Sequence, residues 1–299
     1  MPDAQLQPQS QSQTQPSLML VDGMALLFRA YFASAYGGYV RKTKAGLPVN
    51  AVYGFVRYLF DAVNTYKPTH VACCWDLSSK TFRTEHFPEY KANRPEAPDD
   101  MLPQFDLVKE VVDSLGVPNI GVPGYEADDC IGTMARIHEQ DMDVLIYTGD
   151  QDLLQLVSDR TRVMMLKKGG NYLVYDKELL MSEKGITPAQ MIDLKGLTGD
   201  TSDNYPGVKG IGEKTAVKLL AEYESIDGIL QNLEQLPASV RKKIEADMDM
   251  LHLCRNLATI RTDVPIECAI DDCLWVPNPE TAHNKFEELE FRSLIKEIS

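Results

Sequence analysis

The chain has 299 residues, with 30 Lys and Arg against 44 Asp and Glu, a formal net charge of −14. That balance argues against a protein that coats nucleic acid by bulk charge or docks on an anionic membrane. A hydrophobic fraction of 44% suffices for one large core or two smaller ones, and no run approaches the roughly 18 apolar residues of a membrane span.

In chain order, the opening MPDAQLQPQSQSQTQPS is a Gln/Ser/Pro tract without the basic start and apolar run of a secretory signal, so residues 1–17 are expected to be a disordered tail. Residues 18–23, 70–76 and 143–150 are short apolar runs without alternation, ending in Asp22, Asp76 and Asp150. Such runs suit strands buried on both faces, as in a parallel sheet. Val52, Phe55, Leu59, Phe60 and Val63 recur at helical spacing, as do Leu107, Val108, Val111, Val112 and Leu115. Strand alternating with helix predicts an α/β sheet with crossover connections. Residues 163–168 and 172–176 read as two further strands joined by a turn at 168–171. Thr187 and Pro188 read as the N-cap and first turn of a helix. A second helix is expected over Glu213–Tyr223, and a third, broken one over about Ala238–Thr262. The expected organisation is an α/β domain at 18–185 and a helical subdomain at 186–299.

Nine carboxylates gather at the expected loop edges: Asp22, Asp76, Glu126, Asp128, Asp129, Asp150, Asp152, Asp200 and Asp203. In an open parallel sheet, ligands bind at the carboxyl ends of the strands. Asp is also a common turn and cap residue, so any single cluster is more often structural. Five clusters at one edge are harder to dismiss. So many like charges require cations, and oxygen-only donors suit Mg²⁺ or Mn²⁺. Two such ions would stabilise both the attacking and the leaving oxygen of a phosphodiester displacement.

Residues 77–100 interleave Lys80, Arg83, Lys91 and Arg94 with Phe82, Phe87 and Tyr90. Lys80 and Arg83 are three apart and would share a helix face. A solvated basic surface is the ordinary reading, but cations beside an acidic cluster can hold a scissile phosphate. Gly207, Gly210 and Gly212 permit a tight turn at the start of a helix, a place for phosphate or simply a helix–helix corner. The six cysteines form no Cys-x-x-Cys pair and the five histidines offer no zinc spacing, so reduced thiols in a cytoplasmic protein are expected. Cys73, Cys74, Met164 and Met165 read as core residues, and His138 and His252 as structural ones.

Leu-Val-Asp-Gly-Met-Ala-Leu-Leu-Phe-Arg-Ala resembles the opening motif of bacterial 5′ nucleases, the group of the DNA polymerase I 5′ nuclease domain, phage 5′ exonucleases and flap endonucleases. The resemblance continues through Trp75-Asp76, Lys80–Arg83, Tyr90–Arg94, Glu126–Asp129, Gly149–Asp152 and Gly199–Asn204, and covers nearly everything from 18 to 299. It implies a PIN-like α/β fold carrying a helical arch at 77–100 and a helix-three-turn-helix subdomain. It implies a metal-dependent 5′–3′ exonuclease and flap endonuclease leaving 5′-phosphate and 3′-hydroxyl ends. By resemblance, Asp76, Glu126, Asp128 and Asp129 serve a first metal, with Asp22 held near it through water. Asp150, Asp152, Asp200 and Asp203 serve a second, with Asp128 shared. Lys80, Arg83, Asp128 and Asp150 act at the reacting phosphate. Arg29, Lys80, Arg83, Tyr90, Lys91, Arg94, Lys195, Gly207, Lys209, Gly210, Gly212, Lys214 and Thr215 contact DNA, and a K⁺ bridges hairpin carbonyls to a duplex phosphate. The implied partner is DNA with 5′ flaps, 5′ ends or nicks, or RNA primers on DNA, bound by a monomer.

Two rivals remain: a non-catalytic DNA-junction binder, which the glycine hairpin alone would support, and a small α/β ribonuclease. An acidic crevice facing phosphates gives a mere binder nothing. The charge distribution fits a nuclease better than its sum does. Nine acids belong to the proposed crevice, and residues 263–299 hold nine more against three bases.

Overall fold

The computed structural model describes residues 15–35, 40–167 and 171–298. Its strands are β1 (Ser17–Asp22), β2 (His70–Cys74), β3 (Asn119–Ile120), β4 (Asp143–Thr148), β5 (Thr161–Leu166) and β6 (Tyr172–Tyr175). They form one sheet in the order β3-β2-β1-β4-β5-β6, parallel except for the antiparallel β5–β6 pair. The expected tail reaches one residue too far, because Ser17 is already in β1; the rest of it, before residue 15, lies outside the described residues. So does most of the expected turn at 168–171.

The helices are α1 (Gly23–Ala35), α2 (Asn50–Tyr66), α3 (Phe82–His86), α4 (Leu102–Ser114), α5 (Ala127–His138), α6 (Lys177–Lys184), α7 (Pro188–Thr198), α8 (Glu213–Tyr223), α9 (Ile226–Gln231), α10 (Ala238–Ala246), α11 (Met248–Ala258) and α12 (Pro279–Glu288). Thr187 caps α7 by accepting from the Gln190 N–H, with Pro188 in the first turn. The third expected helix is broken at Asp247, between α10 and α11.

The central strands are buried on both faces, and their side chains alternate between two cores. Leu18, Leu20, Val144 and Ile146 face α5 and the helices from α6 to α11. Met19, Val21, Leu145 and Tyr147 face α1, α2, α4 and α12. The helical region therefore shares its core with one face of the sheet. The last segment departs further from the expected division at residue 186. Trp275 N–H donates to Thr69 O at 2.9 Å, and Phe286 and Phe291 enter the core beside Phe60. Residues 275–298 thus cover the opposite side of the α/β layer, where Ala282, Phe286, Leu289 and Phe291 bury their apolar surface in the core of α1, α2 and α4.

The segment 77–100 is not a long helical arch. It holds the five-residue α3 and a run of turns, and it lies against the acidic end of the sheet. Lys91 and Asn204, both with left-handed backbones (φ 57° and 62°), make the junction. Lys91 N–H donates to Asp203 O at 2.9 Å, and Asn204 Nδ2 donates to Glu89 O at 2.7 Å.

Candidate active site

Strand order reverses between β1 and β4, which places the crevice of an open α/β sheet beside the ends of those strands. Asp22 ends β1 there. It accepts from the Thr148 hydroxyl of β4 at 2.6 Å and from Ala25 N–H at 3.0 Å. Gly23 has no space for a side chain, since a Cβ would lie 2.4 Å from the Trp75 ring. That contact sets the turn from β1 into α1. Asp76, just beyond β2, accepts from Ala127 N–H at 2.6 Å, at the N-terminus of α5. The helix dipole favours anions at that point. Asp128 stands in the first turn of the same helix.

Eight of the nine expected acids converge. Asp22, Asp76, Glu126, Asp128 and Asp150 line a cavity of about 160 Å³. Asp150, Asp152, Asp200 and Asp203 line a neighbouring one of about 610 Å³, with Arg29, Phe28 and Lys195. Asp150 belongs to both. Asp200 and Asp203 sit on a tight loop closed by reciprocal Asp200–Tyr205 backbone bonds of 2.8 and 3.0 Å. Gly207, expected to face phosphate, is buried where a Cβ would come within 2.2 Å of Gly199 N. It pinches this acidic loop shut instead.

Asp129 is the exception. It is fully buried and lines neither cavity. Its oxygens accept from both Arg83 Nη atoms at 2.7 and 2.9 Å, from Glu126 N–H at 3.0 Å and from Arg261 N–H at 2.8 Å. With its lone pairs so occupied, Asp129 has none to offer a metal. Arg83 is equally enclosed and also donates to Leu257 O and Thr259 O. The expectation that Arg83 shares an exposed face with Lys80 and meets the phosphate is thus corrected. Lys80 precedes α3 and is exposed; Arg83 ties α3 to α5 and to the end of α11.

Tyr90 is buried too, stacked near Tyr205, and its hydroxyl donates to Asp203 at 3.0 Å and Glu126 at 3.2 Å. It offers no free face to a base. Lys91 Nζ donates to Glu126 at 2.8 Å, Arg94 to Asp203 at 2.6 Å, and Lys195 to Asp200. Lys195 Nζ is also 2.7 Å from Asp152 Oδ1. These pairings were not legible in the sequence, nor was the role of Thr148.

Burial raises the Asp22 carboxyl to about 7 and Asp152 to about 6, and it pushes Asp76 and Asp128 upward, with Asp150 and Asp22 adding to the rise at Asp128. Burial acts the same way on Asp200, but Lys195 and Ser202 outweigh it and hold that carboxyl at about 2. Among the described residues, no three acidic, His or Cys side chains are already arranged to hold a metal ion. The donor chemistry nevertheless fits a hard dication. All eight acids offer oxygen, and Asp152 Oδ1 is buried without accepting a hydrogen bond. Their present orientations answer Lys91, Arg94, Lys195 and backbone N–H groups.

Beside the acids, α7, the glycine loop and α8 form a helical hairpin. Lys209, Gly212 and Lys214 are exposed, and Thr215 is partly so. Nothing lies within 4 Å of a Cβ built on Gly212, so the N-terminus of α8 is open. The Gly210 carbonyl accepts from Lys243 Nζ at 2.9 Å, a partner the sequence did not suggest.

An acid-lined crevice at the sheet's switch point, flanked by cations and an open helical hairpin, defines a nuclease-type hydrolase. Residues 17–187 match the family model of the 5′-3′ exonuclease N-terminal resolvase-like domain, and residues 186–281 that of the 5′-3′ exonuclease C-terminal SAM fold. The chain belongs to the 5′-3′ exonuclease family. It is 52% identical over 266 residues to the 5′-3′ exonuclease of Bacillus subtilis (strain 168), covering 89% of this chain and 90% of that one. It is 40% identical over 288 residues to DNA polymerase I of Mycobacterium tuberculosis (strain CDC 1551 / Oshkosh), covering 95% of this chain but only 32% of the polymerase. Among solved structures, a bacteriophage T5 flap endonuclease in complex with DNA and metal ions aligns with a TM-score of 0.66 at 22% identity, covering 94% of this chain and 98% of that one. The catalytic core of Rad2 with DNA substrate aligns with a TM-score of 0.62 at 17% identity, covering 95% and 93%. These two likenesses show the fold. No described helix is long and apolar enough to cross a membrane.

Proposed function

We propose that this 5′-3′ exonuclease hydrolyses DNA at 5′ ends, nicks and 5′ flaps, and RNA primers on DNA, acting as a monomer with Mg²⁺ or Mn²⁺. The observation that carries the reading is the convergence of eight carboxylates from five chain segments on two adjoining cavities that share Asp150. Two divalent ions there would supply a nucleophilic water near neutral pH and neutralise charge on the leaving oxygen. Asp22, Asp76, Glu126 and Asp128 would hold one, and Asp152, Asp200 and Asp203 the other, with Asp150 between them.

The chain's own groups do the rest. Exposed Lys80 approaches the scissile phosphate from the end of β2, and Arg29 and Arg94 reach it from α1 and from the 77–100 segment. The α8 N-terminus, Lys209, Lys214 and Thr215 hold duplex phosphates without reading sequence. A K⁺ at the hairpin would compete with Lys243 Nζ for the Gly210 carbonyl. Water adds to phosphorus and the bond to the 3′ oxygen breaks. The 5′-phosphate stays on one product, and the other receives the proton as a 3′-hydroxyl.

The test is cleavage of a labelled 5′-flap duplex with Mg²⁺ or Mn²⁺ and then with EDTA. Metal-dependent 5′ products are expected. Binding without cleavage would reduce the protein to a junction binder.

A further inference from the structure

Lys195 stands in the last turn of α7 with its Nζ between two carboxylates from different parts of the chain. Asp152 Oδ1 is 2.7 Å away, and Asp200 Oδ2 accepts a hydrogen bond. The three side chains are only 21%, 14% and 10% exposed. Asp150 and Asp203 line the same cavity, so without a cation these acids would repel one another in a poorly solvated space. The ammonium is that cation.

A dication takes carboxylate oxygens at about 2.0–2.1 Å and demands a near-octahedral shell. An ammonium at hydrogen-bond distance from the same oxygens blocks that shell and repels the ion. Lysine and dication are therefore alternatives for one place. Lysine is a compact charge on a flexible stem, able to leave without moving its helix. The cavity it would turn into also holds Arg29, whose Nη2 is buried without a hydrogen-bond partner. An anion entering there meets both cations.

Resting on the nuclease reading above, we propose that Lys195 is a resident counter-ion of the Asp152–Asp200 pair, displaced by a divalent ion and thereby released to a DNA phosphate. Metal and DNA binding are then coupled through one side chain. The coupling is reciprocal, since phosphate that draws Lys195 away opens the acids to the ion. Lys91 and Arg94 stand similarly to Glu126 and Asp203, but they also dock the 77–100 segment, so Lys195 isolates the effect.

The test uses the full chain and measures Mn²⁺ binding by calorimetry without DNA, in wild type, Lys195→Met and Lys195→Gln. Both variants should bind Mn²⁺ at the weaker site about tenfold more tightly, since a competing charge is gone. A second arm measures affinity for a 5′-flap duplex in Ca²⁺ against EDTA. The gain from Ca²⁺ in wild type should shrink severalfold in both variants. Unchanged or weaker Mn²⁺ binding in the two variants, or an undiminished Ca²⁺ gain, overturns the inference while wild type still binds metal and flap DNA. A wild type that binds neither overturns the nuclease reading and this inference together.

Discussion

The Arg83 guanidinium grips the Asp129 carboxylate through both Nη atoms, at 2.7 and 2.9 Å, and both groups are buried. Removing one partner of such a pair strands the other as a buried charge, which costs about 3–5 kcal/mol. Arg83→Ala and Asp129→Ala should each lose stability on that scale in urea unfolding, and the double variant should lose less than the sum. An Arg83→Ala protein as stable as wild type but slow in turnover would return Arg83 to the phosphate.

Lys80 should behave in the opposite way. It is exposed beyond β2 and makes no ion pair among the described residues, so Lys80→Ala should leave the melting temperature unchanged. Turnover on a 5′-flap substrate should fall about 10²-fold, the scale of one lost charge-stabilising donor. Duplex affinity should change far less. Equal losses in turnover and affinity would contradict the assignment.

The hairpin lysines test the binding surface. Lys209→Ala and Lys214→Ala should weaken duplex binding across sequences and lower the salt slope by about one each. Single-turnover cleavage at saturating enzyme should stay near wild type. A steep loss of that rate would move these residues toward the chemistry.

The raised acids predict a pH profile. Asp22 near 7 and Asp152 near 6 titrate above their ordinary 3.8, so each costs folding free energy once ionised. That cost is present above the folded value and is relieved as pH falls through it. In EDTA the melting temperature should therefore climb between pH 8 and pH 5.5. Asp200, held near 2, loses its stabilising pairing only below about pH 4. Mg²⁺ favours the ionised acids, so its stabilisation should be larger at pH 8 than at 5.5. Scanning calorimetry at the two pH values decides the point; an EDTA profile that falls toward pH 5.5 contradicts it.

Asp128 condenses the conflict between stability and function. Burial, then Asp150 and Asp22, push its carboxyl upward. Asp128→Asn should stabilise the protein in EDTA, because the variant has no charge to bury beside Asp150 and Asp22. The same change should weaken Mn²⁺ binding at least tenfold, a loss of about 1.4 kcal/mol. A variant that gains stability and keeps its metal affinity would remove Asp128 from the metal set.

Strands around Asp22, Asp76 and Asp150, the capped start of α7 and the span Glu213–Tyr223 were legible because each depends on local pattern: apolar runs, a Thr-Pro cap, a 3.6-residue period. Asp22, Asp76 and Asp150 were legible together for the same reason, since the ends of parallel strands meet at one edge whatever their separation along the chain; Glu126 and Asp128 reach that edge from the start of α5, and Asp200 and Asp203 from the loop after α7. Tertiary structure alone decided which charges oppose which. Asp129 and Asp128 are adjacent in sequence, yet a 100° turn of α5 sends one to Arg83 in the core and the other to the crevice. Lys80 and Arg83 divide in the same way, and α12 returns to the sheet against its expected place among the later helices. An ion pair depends on distance and burial, and both arise only when segments as far apart as residues 83, 129 and 257 are packed together.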